Sequence, residues 1–171
     1  RVVAVAPGPP GNIQPEANVI EETDDEVVVE SFGMTRRLSR DRVYAGGIEF
    51  VRHKLIGKST RFPEDALEMY AGQVAGVPPR LLMERQNIGG SQLKIENLSA
   101  FDGLKVLVFT GELDTDHPKD IDSAVVDWLI DAGAQAEFWW LPDRGTTGNG
   151  HMLMMEDNSD DLADMIIGWV G

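Results

Sequence analysis

The region that decides the fold runs from Leu104 to Leu141 and reads LKVLVFTGELDTDHPKDIDSAVVDWLIDAGAQAEFWWL. Leu104 to Thr110 is a short apolar run, which predicts a buried strand. Lys119 to Ala132 has apolar residues at helical spacing and predicts a helix that ends at Gly133. Ala136 to Leu141 predicts a second strand. A strand, a helix and a strand in this order predict a parallel sheet with a right-handed crossover.

Further elements are predicted on both sides of this unit. The run from Ser159 to Val170 predicts a final helix, with Asp160 and Asp161 near the positive end of its dipole. Val2 to Val5 predicts a strand buried on both faces, as in a parallel sheet. The fold class is therefore α/β, with mostly parallel strands and flanking helices.

The middle of the chain has a mixed character. Acidic, apolar and basic runs alternate there, and Pro63-Glu64-Asp65 is typical of a helix start. Short helices with interrupted polarity favour an inserted helical lid over a second independent core. We expect a core strand and turn over residues 1–13, the lid over 14–99, and a C-terminal βαβα core over 100–171.

Composition excludes several classes of function. The chain has 171 residues, 42% of them hydrophobic, and a formal net charge of −14. That charge would be repelled by nucleic acid and by anionic membrane surfaces. No apolar run approaches the ~20 residues that a membrane-spanning helix needs. The chain has no cysteine, so disulfides and thiol chemistry are excluded within it.

Two polar residues follow the predicted strands and are candidates for acid–base chemistry. Asp114 lies just beyond Thr110, and His151 ends the loop that follows Leu141. Because functional groups on parallel sheets lie beyond the C-terminal strand ends, we expect these loops to meet. In hydrolytic triads the histidine is the base, and a carboxylate orients it. Glu112 and Asp116 remain alternative acids.

The other two histidines and Ser91 are predicted to have structural rather than catalytic positions. His117 stands beside Pro118 and is predicted to be a loop or first-turn residue. His53 lies between two basic residues and is predicted to be on the surface. Ser91 follows Gly90 but lacks the strand–turn–helix pattern of a nucleophile, so a solvated loop is expected.

The residues around Asp114 and His151 resemble the α/β-hydrolase superfamily. The sequence Gly-Glu-Leu-Asp from Gly111, with Pro118 four residues later, is similar to the acid-bearing loop. The sequence Gly-Asn-Gly-His-Met before a final amphipathic helix is similar to the histidine loop of a microbial, esterase-like branch. The resemblance is specific over residues 104–171, moderate over 1–11 and weak between them. It implies that Asp114 is the acid and His151 the base.

Two departures from the family pattern affect this expectation. The chain contains no Gly-x-Ser-x-Gly sequence, and Ala6 stands where the similar branch often has a glutamate. The resemblance therefore implies that the nucleophile and the oxyanion hole lie on an upstream polypeptide, in a heterodimer or a nicked chain. The cellular compartment stays open, because a targeting segment could precede Arg1.

The leading functional prediction is a serine hydrolase that cleaves a small-molecule carboxylic ester, with no metal and no cofactor. Its substrate pocket is predicted to include Phe32, Tyr44, Tyr70 and Met152. One alternative is an epoxide hydrolase with an upstream aspartate nucleophile, because the two tyrosines could protonate the opening oxygen. The other is a non-catalytic protein that retains the fold and binds a ligand.

Overall fold

A computed structural model describes residues 1–31 and 34–171. The described residues form two compact units. The first unit comprises Arg1–Pro9, Gly47–Gln73 and Asn97–Gly171, and the second comprises Pro10–Gly46 and Val74–Glu96. Each unit is therefore assembled from separate stretches of the chain.

Within the described residues the regular elements are six strands and five α-helices. The strands are β1 (Val2–Val5), β2 (Asn18–Glu22), β3 (Glu26–Ser31), β4 (Met34–Ser39), β5 (Lys105–Thr110) and β6 (Gln135–Trp140). The α-helices are α1 (Ile48–Phe50), α2 (Leu67–Ala71), α3 (Pro79–Arg85), α4 (Lys119–Asp131) and α5 (Ser159–Val170). A π-helix (Val51–Ile56) continues α1, and short 3₁₀ turns occupy several loops.

The first unit contains a three-stranded parallel sheet in the order β1-β5-β6. The parallel strand–helix–strand unit predicted from residues 104–141 is confirmed, with α4 between β5 and β6. Central strand β5 is buried from its second residue to its last. The core beside the sheet is an apolar cluster of Leu107, Phe109, Trp139, Leu141, Leu153 and Leu162.

The burial predicted for β1 is only partly correct. Val2 is exposed, and Val3 to Val5 are half-buried. The physical reason is position, because β1 pairs with β5 along one edge and no other described strand pairs with it. A strand at the edge of a sheet is covered less than a central one.

Helix α4 carries a polar group on its buried face. Val125, Val126 and Leu129 are buried on this face, and the fully buried Asp122 lies one turn before them. The helix ends at Asp131, and Gly133 follows it with a backbone φ of +95°, a conformation that favours glycine.

The second unit differs from the predicted helical segment. Residues 18–39 include the antiparallel sheet β2-β3-β4, so the prediction of helices was wrong there. The three consecutive valines of β3 are all buried, and β-branched side chains favour such a strand. Thr23 shapes the turn into β3, because its hydroxyl oxygen accepts the N–H groups of Asp25 and Glu26.

The stretch Gly47–Gln73 is helical and belongs to the same unit as the parallel sheet. The helix start predicted at Pro63 is a 3₁₀ turn over Glu64–Ala66, followed by the short helix α2. None of the helices in the described ranges is long and apolar enough to cross a membrane.

Candidate functional site

Asp114 lies in a tight loop directly after the central strand β5. Its side chain is fully buried. Oδ1 accepts the backbone N–H of Asp116 at 2.8 Å and that of His117 at 3.0 Å. Side-chain bonds of this kind stabilise turns that begin with aspartate. They fix the carboxylate and leave Oδ2 for another donor.

The histidine loop is held by the buried carboxylate of Glu156. This residue is 2% exposed. It accepts the backbone N–H of Gly150 at 2.7 Å, the side-chain amide of Asn149 at 2.6 Å and the hydroxyl of Ser59. Three donors on one buried carboxylate offset the cost of removing it from water. The backbone immediately before His151 is therefore rigidly placed.

The two loops contact each other through a glycine. The N–H of Leu113 donates to the carbonyl of Asn149 at 2.9 Å. A Cβ atom on Gly111 would lie 2.5 Å from that same carbonyl oxygen, closer than real contacts allow. Only glycine therefore permits the approach that brings the acid loop against the histidine loop.

The ring of His151 reaches the carboxylate of Asp114. Nδ1 of His151 lies 2.9 Å from Oδ2 of Asp114. Because an ionised carboxylate only accepts, Nδ1 carries the hydrogen and Nε2 of the neutral ring holds a lone pair. The histidine side chain is 25% exposed. Within residues 1–31 and 34–171, Nε2 of His151 has no hydrogen-bond partner.

The alternative acids have other partners. Asp116 forms an ion pair with Lys54, which lies on the π-helix. Glu112 accepts the backbone N–H of Gly148 at 2.8 Å. Among the three acidic residues of this loop, Asp114 is the one that bonds to the His151 ring. Its role as a catalytic acid stays a prediction.

Residues 59–70 brace the histidine loop from the side. The N–H of Thr60 donates to the carbonyl of Gly148 at 3.0 Å, and Arg61 pairs with Asp157 at 3.0 Å. The sequence prediction placed these residues in a lid and assigned them no contact with the loop.

Tyr70 and Met152, both predicted to line a pocket, are in contact. The Tyr70 hydroxyl lies 3.3 Å from the Met152 sulfur. Burial raises the pKa of the Tyr70 phenol above its ordinary value.

The two other predicted pocket residues are Tyr44 and Phe32. Tyr44 is exposed and belongs to the second unit, where its backbone pairs with Val77. Phe32 lies outside the described residues. Their predicted contact with substrate stays a prediction.

The remaining histidines differ sharply in environment. His53 is exposed and its ring lies 3.1 Å from a carboxylate oxygen of Glu49. His117 follows the acid turn, as predicted, but it is only 5% exposed. Its ring stacks on that of His151, with 5.1 Å between centroids and 8° between planes. Ser91 is exposed.

The sequence did not predict the buried contacts of Asp122 and Ser59, or the burial of His117 against His151. A signal for Asp122 existed, because it lies three and four residues before the buried Val125 and Val126, on the inward face of a predicted helix. An unpartnered carboxylate is rarely placed on such a face. The contacts of Ser59 and His117 join residues far apart in sequence and left no comparable signal.

No group of three or more histidine, cysteine, aspartate or glutamate residues is arranged to hold a metal ion in the part of the chain that the structure describes.

Comparison with known proteins gives one partial relationship. The chain is 33% identical over 76 residues to the "Probable secreted lipase phiG" of Fungal sp. (strain ATCC 74256). The match covers 44% of this chain and 20% of that protein. The chain therefore spans a small part of the relative's length, and the similarity indicates a hydrolase-like relationship at most. No family model and no solved structure matches the chain.

Proposed function

We propose that this chain carries the base and the orienting acid of a hydrolase that cleaves carboxylic esters. One observation carries the proposal: the buried carboxylate of Asp114 bonds to Nδ1 of a partly exposed His151, whose Nε2 has no partner among the described residues. This arrangement leaves a basic nitrogen with a fixed tautomer and orientation on a partly exposed ring. The partial similarity to a protein named as a lipase supports the ester substrate class.

The chemistry follows from the two side chains. Nε2 of His151 takes the proton from a nucleophilic hydroxyl as its oxygen bonds to the ester carbonyl carbon. The imidazolium that forms is stabilised by Asp114. It then gives the proton to the departing alcohol, which leaves an acyl-enzyme. His151 next deprotonates a water that attacks the acyl group, and the released proton returns to the nucleophile.

The nucleophile is assigned to another part of the protein. The sequence lacks a Gly-x-Ser-x-Gly elbow, and no hydroxyl within the described residues bonds to His151. We propose a serine on a further polypeptide, which also supplies the oxyanion hole. The edge of β1 that no described strand occupies supports this arrangement, since such edges are readily extended by another strand.

Tyr70 and Met152 are proposed as one wall of the substrate pocket. Both are half-buried, they contact each other, and Met152 follows the base directly. A thioether is flexible and polarisable, so it adapts to apolar groups of different shape.

A second candidate function is epoxide hydrolysis with an aspartate nucleophile. The observation that favours it is the position of the Tyr70 hydroxyl, which contacts Met152, the residue that follows His151. That phenol could give its proton to the oxygen of an opening epoxide.

A fluorophosphonate probe applied to the intact protein tests these alternatives. Esterase function predicts stoichiometric labelling of one serine, identified by peptide mapping, and loss of turnover of a p-nitrophenyl ester. An unlabelled protein that opens an aryl epoxide supports the second candidate. An unlabelled protein that turns over neither substrate contradicts both and favours a non-catalytic binding role.

A further inference from the structure

A second histidine–aspartate pair lies beside the first and has no part in the proposed proton transfer. Nδ1 of His117 lies 3.2 Å from Oδ1 of Asp122, in the first turns of α4. The other carboxylate oxygen of Asp122 accepts the hydroxyl of Thr110, the last residue of β5. All three side chains are buried. The His117 ring is therefore tied to both the sheet and the helix.

His117 contacts both members of the Asp114–His151 pair. Its backbone N–H donates to Oδ1 of Asp114. Its ring lies nearly parallel to that of His151, with planes 8° apart. Gly8 also lies close to the ring, because a Cβ added to it would lie 3.2 Å from Cε1 of His117.

We propose that His117 is a positioning residue that sets the ring plane of His151. This inference rests on the proposed role of His151 as the base. A single hydrogen bond at Nδ1 leaves the imidazole free to rock about that bond. A flat, anchored ring beside it removes this freedom and keeps Nε2 aimed in one direction. Orientation matters because a displacement of about 1 Å can cost about a hundredfold in rate.

Burial explains why His117 acts through His151 rather than as a second base. The His117 side chain is 6% exposed, against 25% for His151. A nucleophile or a substrate can therefore reach the ring of His151 and not the ring of His117. The anchoring carboxylate is itself fully enclosed, so the Asp122 pair is suited to holding a ring in place.

Two variants of the intact protein separate the effect of the stacked His117 ring from the effect of its hydrogen bond to Asp122. His117→Gln keeps a polar group for Asp122 and removes the ring. His117→Phe combined with Asp122→Asn keeps a flat ring and removes the unpaired carboxylate. We expect His117→Gln to lower kcat about 10- to 100-fold with little change in KM, and the double variant to recover most of that loss. Wild-type kcat in His117→Gln, or equal losses in both, would overturn the proposal.

A measurement independent of turnover distinguishes this inference from the proposed function. The Nδ1–H of His151 is observable by ¹H–¹⁵N NMR as one tautomer. We expect it to stay sharp in the Phe/Asn variant, and to broaden or split between tautomers in His117→Gln. An unchanged signal in His117→Gln overturns the positioning role even if ester turnover is lost. The carbon-bound ring protons of the exposed His53 are the internal control, since their chemical shifts should not change.

Thr110→Val provides a milder variant in case the others do not fold. It preserves the shape of a buried β-strand residue and removes the hydroxyl that holds Asp122. We expect a smaller loss of kcat and partial broadening of the His151 signal. A normal thermal unfolding curve with neither change would count against the proposal.

Discussion

The two histidine–aspartate pairs of the first unit have similar contacts and different surroundings. In each, an imidazole Nδ1 faces a fully buried carboxylate, at 2.9 Å for Asp114 and 3.2 Å for Asp122. They differ in the access of solvent to the ring. The His151 side chain is 25% exposed and its Nε2 has no partner among the residues that the structure describes, whereas the His117 side chain is only 6% exposed. We propose that the same pair of residue types serves proton transfer where the ring is partly exposed and structural anchoring where the ring is enclosed.

The largest expected difference between the pairs concerns Asp114. Asp114→Asn keeps the shape of the side chain but offers an amide that can hold His151 in the wrong tautomer. We expect kcat for an ester to fall about a thousandfold or more, from the known effect of such a change in triads. Steady-state kinetics measure it, with circular dichroism as the check on folding. A loss below about tenfold would show that another acid orients the ring.

The second pair should show its effect on stability. Asp122→Ala leaves His117 and Thr110 without their shared hydrogen-bond partner, and a buried polar group left unsatisfied costs about 1–3 kcal/mol. Urea unfolding measures this change in the free energy of unfolding. Asp143→Ala is the matched control, because its ion pair with Lys119 is mostly exposed and such pairs contribute at most about 1 kcal/mol. Equal costs in the two variants would refute the anchoring role.

Glu156 tests whether the loop of the exposed pair also needs a buried anchor. Glu156→Gln replaces one acceptor oxygen with an amide that faces existing donors. We expect a cost of about 1–3 kcal/mol, typical of a buried donor left unsatisfied, together with lower kcat. Thermal unfolding and kinetics on the same samples measure both. A loss of stability without any change in kcat would separate the fold of the loop from the placement of His151.

The smallest effect is expected at Asp116. Its carboxylate pairs with Lys54 and only its backbone N–H contacts Asp114. We expect Asp116→Asn to change kcat by less than about fivefold, since the ion pair with Lys54 is partly exposed and the backbone N–H that bonds to Asp114 is retained. If this variant instead lost as much activity as Asp114→Asn, the assignment of the two acids would be reversed.

The local features of the first unit could be predicted from sequence. β5, α4 and β6 have short-range apolar patterns that match their burial, and α5 begins and ends at the predicted residues. The loops bearing Asp114 and His151 were predicted to meet because parallel strands end at one edge. Their contact at 2.9 Å depends on this topology and on Gly111.

Other features depend on contacts that a single sequence does not encode locally. The sheet of the second unit was missed because charged residues flank its central strand. Glu22, Asp25 and Glu26 precede the three valines of β3, and Arg36 follows them, which obscures the strand pattern. Ser59 bonds to Glu156 across 97 residues. The stack of His117 on His151 joins rings 34 positions apart. In each case tertiary packing, rather than local propensity, decides the environment of the residue.

The most direct test of the account is ester turnover by His151→Ala in the intact protein, with His53→Ala measured in parallel. Loss of the base should lower kcat by about 10³-fold or more, whereas loss of the exposed His53 should leave kcat unchanged. If His151→Ala folds normally and keeps turnover within tenfold of the wild-type protein, His151 is not the base and the proposed function is wrong.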